Sequence, residues 1–361
     1  GRLRHNLAIL DQVQQRSGAK ILMALKAFSM WSTFPLIRQT LLGVCASSPW
    51  EARLGREEFG GEVHSFSAAF KESDVVELLP ISDHLVFNSF NQLQRFRPLW
   101  EKAQGRVSVG LRVNPEHSEG HTELYDPCAP NSRLGIRRSE FEGKSLVGVD
   151  GLHFHTLCEH LFEPLARTAE VFEEKFGEFL PQMKWINFGG GHHITREGYD
   201  IDGLINLVQY FREKYHVEVY LEPGEAIAIG TGLLVGEVLD VVHSEIDTAI
   251  LDLSATCHMP DILEMPYRPE ILDGCEPGVM AHSYRLGGPS CLAGDVIGDW
   301  SFEQPLKPGD RLAFLDMAHY TMVKTTTFNG VQHPHLCTFE PETGELKVVR
   351  SFGYEDFRSR L

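Results

Sequence analysis

Eight short apolar segments, most of them separated by helix-length amphipathic stretches, constrain the fold of this chain more than any other feature. They lie near residues 21–25, 42–47, 62–67, 84–89, 106–113, 151–156, 185–190 and 218–223. The first is continuously apolar, which is typical of a parallel strand buried on both faces. Helical patterns fit between others, at 91–103, 161–176 and 201–215. Eight strands alternating with helices over roughly 200 residues predict an α/β fold, a (β/α)8 barrel of the TIM type.

The character of the sequence changes after Gly232. Two extended segments fill most of residues 233–254, and the segments beyond them are short and broken by glycine and proline, with a turn pattern at 307–310. Short strands bounded by such turns are typical of a β domain. The sequence therefore predicts a barrel domain at residues 1–231 and a C-terminal β domain at residues 232–361.

Composition limits the classes of partner and the compartment. The 361 residues carry 33 Lys and Arg against 50 Asp and Glu, a net charge of −17. This balance disfavours nucleic acid and anionic membranes as partners, and it is compatible with a cationic small molecule. No apolar run approaches the roughly 18 residues of a membrane span. Seven widely spaced cysteines without a CxxC pair indicate a reducing compartment and no structural zinc, so we expect a cytoplasmic protein without a metal.

Polar residues at the predicted strand ends form a candidate site, because TIM-type barrels carry their chemistry at the carboxyl ends of the strands. Read in chain order, these ends are Lys26, Ser47, His64, Asn88, Arg112, His155, Gly189–Gly191 and Glu222. A lysine that is desolvated at the end of a buried strand has a lowered pKa and can bond covalently to a carbonyl group. A lone strand-end lysine that extends to water is the alternative. A lysine, a histidine, a glycine turn and a glutamate at one barrel mouth favour a functional site.

Two further motifs carry chemistry. The triplet Gly189–Gly191 follows an apolar strand and precedes a predicted helix, so its N–H groups and the helix dipole could bind a phosphate. A simple tight turn is the alternative for a glycine triplet. The segment GPSC at 288–291 places the Cys291 thiol just after a Gly-Pro turn, where a buried structural cysteine would be unexpected.

Taken together and in order, these motifs resemble the fold type III pyridoxal-phosphate decarboxylases. The matching motifs are ALKAF with Lys26, HFHT with His155, GGG at 189–191, EPG at 222–224, GPSC at 288–291 and AHYT with Tyr320. The resemblance runs from residue 19 to about residue 330. It implies a barrel followed by a β domain, as in alanine racemase. The segments HFHTLCE, INFGGGHHIT and GPSCLAGD are most similar to the branch that acts on carboxynorspermidine and carboxyspermidine.

The resemblance implies roles for the barrel residues. Lys26 would hold pyridoxal phosphate covalently, and Glu222 would face the pyridine nitrogen and keep it protonated, so that the ring accepts electrons when CO2 leaves. Alanine racemase has an arginine there, so a glutamate favours decarboxylation. His155 would stack on the cofactor ring, although a barrel-interior histidine is the alternative. Arg112 would lie near the cofactor, unless it serves a structural salt bridge.

The phosphate site departs from the commoner pattern of the family. Many relatives read EPGR, with the arginine on the phosphate, whereas this chain has Glu225. A carboxylate beside a phosphate is repulsive, so Glu225 must point away or serve another purpose. Phosphate binding would then fall to the N–H groups of Gly190, Gly191 and Gly224 and to the hydroxyl of Tyr320.

The β domain would complete the site. The resemblance implies that Cys291 returns a proton to the substrate carbon, and that it does so at the partner subunit's cofactor, which requires a homodimer with shared active sites. Leu292 stands where ornithine enzymes have an aspartate, which disfavours ornithine. Asp261 and Asp295 are candidate partners for the ammonium groups of a polycationic substrate, with solvated surface acids as the alternative.

The resulting functional prediction is decarboxylation of carboxynorspermidine or carboxyspermidine to norspermidine or spermidine in polyamine biosynthesis. Diaminopimelate decarboxylase is one alternative, with Arg285 as a partner for the distal carboxylate. A non-catalytic homologue that regulates polyamine enzymes is another, but such a protein is expected to lose Lys26 or Cys291, and both are present.

Overall fold

A computed structural model describes residues 1–120 and 122–361 of the chain. It divides into two compact units. One comprises Arg4–Ile227, and the other comprises Gly1–Leu3 together with Ala228–Leu361. The boundary predicted from the sequence, between residues 231 and 232, lies a few residues further along the chain.

The first unit is built on a closed sheet. Its strands are β1 (Lys20–Ala24), β2 (Gly43–Ala46), β3 (Glu62–Phe66), β4 (His84–Phe87), β5 (Ser108–Asn114), β6 (Ile136–Arg137), β7 (Gly151–His153), β8 (Trp185–Asn187) and β9 (Glu218–Leu221). All their pairings are parallel, and the sheet closes where β1 pairs with β9 and β4 pairs with β5. The two-residue β6 is an addition beside β5. The predicted (β/α)8 barrel is confirmed, and each of its eight strands lies inside or near its predicted segment, whereas β6 was not predicted.

The barrel interior is filled by side chains. Leu22, Val86, Trp185 and Tyr220 form a buried cluster inside it. Gly151 of β7 makes room for the largest of them, since a Cβ atom there would stand 2.1 Å from the Trp185 ring. The barrel is therefore a packed core that supports a site at its rim.

The helices of this unit surround the barrel. They are α1 (Arg2–Ser17), α2 (Phe34–Ile37), α3 (Pro49–Leu54), α4 (Glu72–Leu78), α5 (Phe90–Arg95), α6 (Arg97–Trp100), α7 (Phe162–Phe176), α8 (Ile201–Tyr215) and α9 (Glu225–Ala228). The predictions for α7 and α8 are confirmed. The single helix predicted at 91–103 is wrong: the backbone leaves the helical region at Phe96, and Pro98 lacks the N–H that a continuous helix needs.

The second unit is mainly antiparallel. Its five-stranded sheet contains β10 (Leu234–Val242), β11 (Thr248–Leu251), β12 (His282–Gly287), β13 (Val296–Phe302) and β14 (Arg311–Phe314), and β15 (Leu336–Glu340) pairs with β16 (Glu345–Arg350). Its helices are α10 (Ala255–His258), α11 (Asp261–Glu264) and α12 (Tyr354–Arg358). Trp300 and Phe314 pack edge to face within its buried core. The predicted β domain is confirmed as a sheet domain. Within the described residues, none of the helices has the length and apolar character that a bilayer span requires.

Candidate active site

Lys26 lies two residues after the end of β1, at the carboxyl mouth of the barrel. The strand before it is buried, but Lys26 itself is exposed. Its Nζ lies 3.2 Å from Nε2 of His155. Desolvation by the surrounding protein, helped by the charge of Arg112, lowers the pKa of Lys26 although Cys45 and Glu222 oppose it. A lowered pKa increases the fraction of neutral amine, the form that attacks a carbonyl carbon.

His155 is held from two sides. Its Nδ1 lies 3.1 Å from both the carbonyl oxygen and the amide nitrogen of Gly190, and Arg112 donates a hydrogen bond of 2.8 Å from Nη2 to the His155 carbonyl oxygen. Burial, together with the charges of Lys26 and Arg112, holds the pKa of His155 well below its usual value. The ring is therefore neutral and fixed, as a stacking partner for an aromatic cofactor requires.

Arg112 is buried beside this histidine. Its guanidinium lies 4.7 Å from the centre of the Phe66 ring. Burial lowers its pKa to about 10, an effect that Glu222 partly offsets. In the part of the chain that the structure describes, Arg112 forms no salt bridge within 4.0 Å. Its clearest contact is the one that supports His155.

Glu222 follows β9 directly and is mostly buried. Its Oε1 accepts a 2.7 Å hydrogen bond from Asn187 Nδ2, and its Oε2 lies 3.4 Å from His153 Nε2. Burial alone would raise the pKa of Glu222, but His153 and the Asn187 hydrogen bond outweigh it and hold the pKa at about 2. The side chain is therefore a carboxylate at neutral pH, suited to face a protonated ring nitrogen.

The glycine turn lies so close to neighbouring backbone that side chains would not fit. A Cβ atom at Gly190 would stand 2.1 Å from the Glu222 carbonyl oxygen, and one at Gly191 would stand 1.8 Å from the Leu157 carbonyl oxygen. Gly189 and Gly191 also have φ angles of +67° and +82°, which favour glycine. These contacts and angles explain why glycine occupies all three positions of the turn.

Two expectations about this turn need correction. The helix expected directly after it begins only at Ile201, after a loop, so the dipole of that helix does not act at the turn. The Gly190 N–H group faces His155 Nδ1. Among the described residues, the N–H groups of Gly191 and Gly224 donate to no protein acceptor, so these two remain the better candidates for a phosphate.

The groups at this mouth match the parts of pyridoxal phosphate. An amine of lowered pKa suits its aldehyde, the Glu222 carboxylate suits its ring nitrogen, and uncommitted glycine N–H groups suit its phosphate. The residues present therefore fit this cofactor.

The remaining candidates lie in the second unit. Cys291 is exposed, and its N–H donates a 2.7 Å hydrogen bond to Asn329 Oδ1. Tyr320 has a φ angle of 50°, unusual for a residue other than glycine. Asp261 pairs with Lys324, which also pairs with Glu264 at 2.5 Å.

Asp295 differs from the solvated acid considered above. It is only 4% exposed, and its carboxylate accepts hydrogen bonds from Ser254 Oγ at 2.8 Å and from the N–H groups of Thr256 and Ser290. These contacts brace the loop that carries Cys291. Its role in substrate binding stays a prediction that no contact supports.

Comparison with known proteins identifies the family. Residues 124–318 match the family model described as "Pyridoxal-dependent decarboxylase, C-terminal sheet domain". A carboxyaminopropylagmatine decarboxylase of Synechocystis is 46% identical over 99% of this chain and 92% of its own length. The chain belongs to the pyridoxal-dependent decarboxylases. A carboxynorspermidine/carboxyspermidine decarboxylase of Campylobacter jejuni is 44% identical over 99% of this chain and 96% of that protein.

Solved structures agree with this assignment. The crystal structure of carboxynorspermidine decarboxylase from Campylobacter jejuni, complexed with norspermidine, has a TM-score of 0.92 at 42% identity and covers 100% of this chain and 97% of that one. A diaminopimelate decarboxylase from Helicobacter pylori, complexed with L-lysine, reaches 0.81 at 17% identity, with 98% and 95% covered, and shows the fold alone. The enzyme class and the fold type III architecture expected from the sequence are confirmed.

The candidate site contains residues that were not predicted from the sequence. Asn187 and His153 contact Glu222, and His193 Nε2 lies 3.3 Å from Glu225 Oε2. Asn187 and His153 are the last residues of β8 and β7, so their place at strand ends was the available signal.

One residue of the predicted mouth lies elsewhere. His64 is in the middle of β3, where its ring stacks on His84 at 3.7 Å and its Nε2 lies 3.0 Å from Glu62 Oε2. Possible metal-ligand atoms of Glu62, His64 and His84 lie close to one another. The two rings are only 15° from parallel, so their in-plane lone pairs do not converge on one ion.

Proposed function

We propose that this decarboxylase uses pyridoxal phosphate bound through Lys26 to remove CO2 from an α-amino acid with a long polycationic side chain. Carboxynorspermidine and carboxyspermidine are the favoured substrates, and norspermidine and spermidine are the products. The observation that carries the proposal is the grouping of Lys26, His155 and an ionised Glu222 at one barrel mouth. Relatives of 38–46% identity that act on such polyamine acids support the choice of substrate.

Each barrel residue has a defined task in this proposal. When bound, pyridoxal phosphate supplies an electron-accepting ring for the pair left by CO2. Lys26 supplies the neutral amine that anchors it, and the Glu222 carboxylate keeps the ring nitrogen protonated. His155 supports one face of the ring, while Arg112 fixes His155 through its carbonyl oxygen. Gly191 and Gly224 orient the phosphate.

Cys291 supplies the proton that replaces CO2 on the substrate carbon. Its exposed position, on a loop braced by Asn329 and Asp295, suits a thiol that must reach outside its own unit. We infer that it acts at the partner subunit's cofactor, so that the homodimer is the active form. We infer a cytoplasmic location from the seven widely spaced cysteines, which include no CxxC pair.

The second candidate substrate is carboxyaminopropylagmatine, favoured by the relative at 46% identity. Diaminopimelate is less supported. The diaminopimelate decarboxylase of Bacteroides thetaiotaomicron is only 23% identical, and Arg285 is engaged by Asp299 through two hydrogen bonds of 2.8 and 3.0 Å.

A comparison of four substrates tests the proposal. Holoenzyme is incubated with carboxynorspermidine, carboxyspermidine, carboxyaminopropylagmatine and meso-diaminopimelate, and kcat/KM is measured for each from released CO2. We expect one of the first two to lead. If carboxyaminopropylagmatine has the highest kcat/KM, it becomes the assigned substrate and the mechanism stands. If meso-diaminopimelate has the highest kcat/KM, the proposal is refuted.

A further inference from the structure

The carboxylate of Glu222 is tied to the glycine turn through Asn187, the last residue of β8. Asn187 is 1% exposed, and its Nδ2 donates to Glu222 Oε1 at 2.7 Å while its Oδ1 accepts from the Gly189 N–H at 2.8 Å. The backbone adds a second link, because the Glu222 N–H donates to the Gly189 carbonyl oxygen at 2.7 Å. Two independent connections therefore join the residue at the ring nitrogen to the turn at the phosphate.

The orientation of the Asn187 amide is determined by its neighbours. The Gly189 N–H can only donate, so the amide oxygen must face it, and the amide NH2 must then face Glu222. An ionised carboxylate has only acceptors to offer that NH2. The amide is thus arranged for the charged form of Glu222.

The second oxygen of Glu222 has a weaker contact. His153 Nε2 lies 3.4 Å from Glu222 Oε2, longer than an ordinary hydrogen bond. Asn187 therefore holds Oε1 by the shorter contact, and Asn187 is the side chain that determines the orientation of the carboxylate.

We propose that Asn187 is a positioning residue that orients the Glu222 carboxylate and links it to the glycine turn, so that the ring-nitrogen and phosphate contacts form one rigid unit. This inference rests on the proposed function of Glu222 and adds the residue that orients it.

The variant Asn187→Asp tests the idea with almost no change in volume. The new aspartate can still accept from Gly189, but it places an acceptor against Glu222 Oε1, so the two oxygens must share a proton or repel. We expect kcat to fall about 100-fold with KM changed less than about threefold. The cofactor Kd, measured by titrating apoenzyme, should weaken about tenfold or more, and the pH at which the bound cofactor's absorbance titrates should shift.

A matched control is Asn114→Asp. Asn114 is also a buried asparagine at the end of a barrel strand, with Nδ2 donating to Leu134 O at 3.2 Å and Oδ1 accepting from the Glu116 N–H at 2.8 Å. It makes no hydrogen bond to Glu222. We expect lower thermal stability but an unchanged absorbance titration. The same spectral shift in both variants would overturn the proposal.

The double variant Asn187→Asp with Glu222→Gln separates positioning from an independent effect. The new glutamine can donate to the new aspartate, which restores the pair with reversed polarity. If Asn187 acts through Glu222, the double variant will have the kcat of Glu222→Gln within about threefold and will regain the cofactor affinity lost by Asn187→Asp. If the kcat losses of the two single variants multiply in the double variant, the inference is refuted.

Failure of this inference is distinguishable from failure of the proposed function. Near-normal turnover by Glu222→Gln alone would reject the role of Glu222. The cofactor Kd of the double variant, compared with the two single variants, tests the positioning role in either case. If Asn187→Asp does not fold, Asn187→Ser supplies the test, because a hydroxyl is too short to bridge Gly189 and Glu222. An unchanged cofactor Kd in that variant would also count against the proposal.

Discussion

Adding one methyl group at Gly190 should push the glycine turn away from Glu222, and so disturb both the phosphate side and the ring-nitrogen side of the candidate cofactor site. The Cβ atom of Gly190→Ala would stand 2.1 Å from the Glu222 carbonyl oxygen, 0.9 Å nearer than the 3.0 Å below which real Cβ atoms essentially never approach. The φ angle of Gly190 is not in the left-handed region, so the effect is steric and not one of backbone strain. The turn or Glu222 must move by about 1 Å.

A displacement of that size has a predictable magnitude. A misplacement of about 1 Å in a catalytic site reduces the rate about 100-fold, and overpacking of a filled site costs about 1–3 kcal/mol of stability. We therefore expect Gly190→Ala to lose about 100-fold in kcat/KM and to bind the cofactor at least tenfold more weakly. Apoenzyme titration gives the cofactor Kd, CO2 release gives kcat/KM, and a thermal melt gives the stability.

Gly353→Ala is the control for this experiment. Gly353 has extended backbone, with φ −146°, and no atom lies within 4 Å of its ideal Cβ position. Its replacement should leave all three measurements unchanged. Turnover within twofold of wild type and an unaltered cofactor Kd for Gly190→Ala would refute the close coupling of the turn to Glu222.

Four further outcomes are expected. Borohydride reduction of holoenzyme followed by mass mapping should label Lys26, and a label on any other lysine would remove that assignment. Desolvation by the surrounding protein lowers the pKa of Lys26, so the charged lysine destabilises the folded apoenzyme at pH values below that pKa, and the penalty vanishes above the unfolded value of 10.5. Apo Lys26→Met should therefore melt above wild type at pH 7, with the difference in melting temperature shrinking toward pH 10.5. Subunit exchange between inactive Lys26→Ala and Cys291→Ala variants should restore about 25% of wild-type activity if the site is shared across a two-fold dimer, and no recovery after verified exchange would refute sharing. Asp261→Ala should reduce kcat/KM for the polyamine substrate about ten- to 100-fold, since an ammonium-carboxylate contact contributes about 1.5–3 kcal/mol, and an unchanged value would exclude Asp261 from substrate binding.

Sequence periodicity predicted the barrel because each strand carries its own apolar signal. The segment at 185–190, for example, contains β8 and ends in the glycine turn. Periodicity failed at 91–103, where the apolar spacing continues although the helix is interrupted at Phe96 and Pro98 lacks an N–H. It also misplaced His64, because a short strand does not show which of its residues reaches the rim.

The contacts between side chains were harder to predict than the location of each residue at a strand end. The sequence identified Lys26, His155 and Glu222 because their residue types have distinctive chemistry at strand ends. Asn187 has no such chemistry of its own, and its importance appears only when Gly189 and Glu222 are seen on either side of it. Asp295 was predicted as a candidate partner for substrate ammonium groups, with a solvated acid as the alternative, because a sequence does not show that this carboxylate accepts hydrogen bonds from Ser254 and from the loop of Cys291.

Glu225 shows how a local departure from the family pattern is accommodated. A carboxylate at this position would repel a phosphate if it lacked a partner. Its neighbour is His193, on the loop after the glycine turn. The His193 side chain is only 6% exposed, and its Nε2 lies 3.3 Å from Glu225 Oε2. The His193 N–H also donates to the His160 carbonyl oxygen at 2.8 Å, which fixes the loop that presents it. The Glu225 carboxylate thus has a neighbour of its own, and we propose that the Gly191 and Gly224 amides bind the phosphate without an arginine.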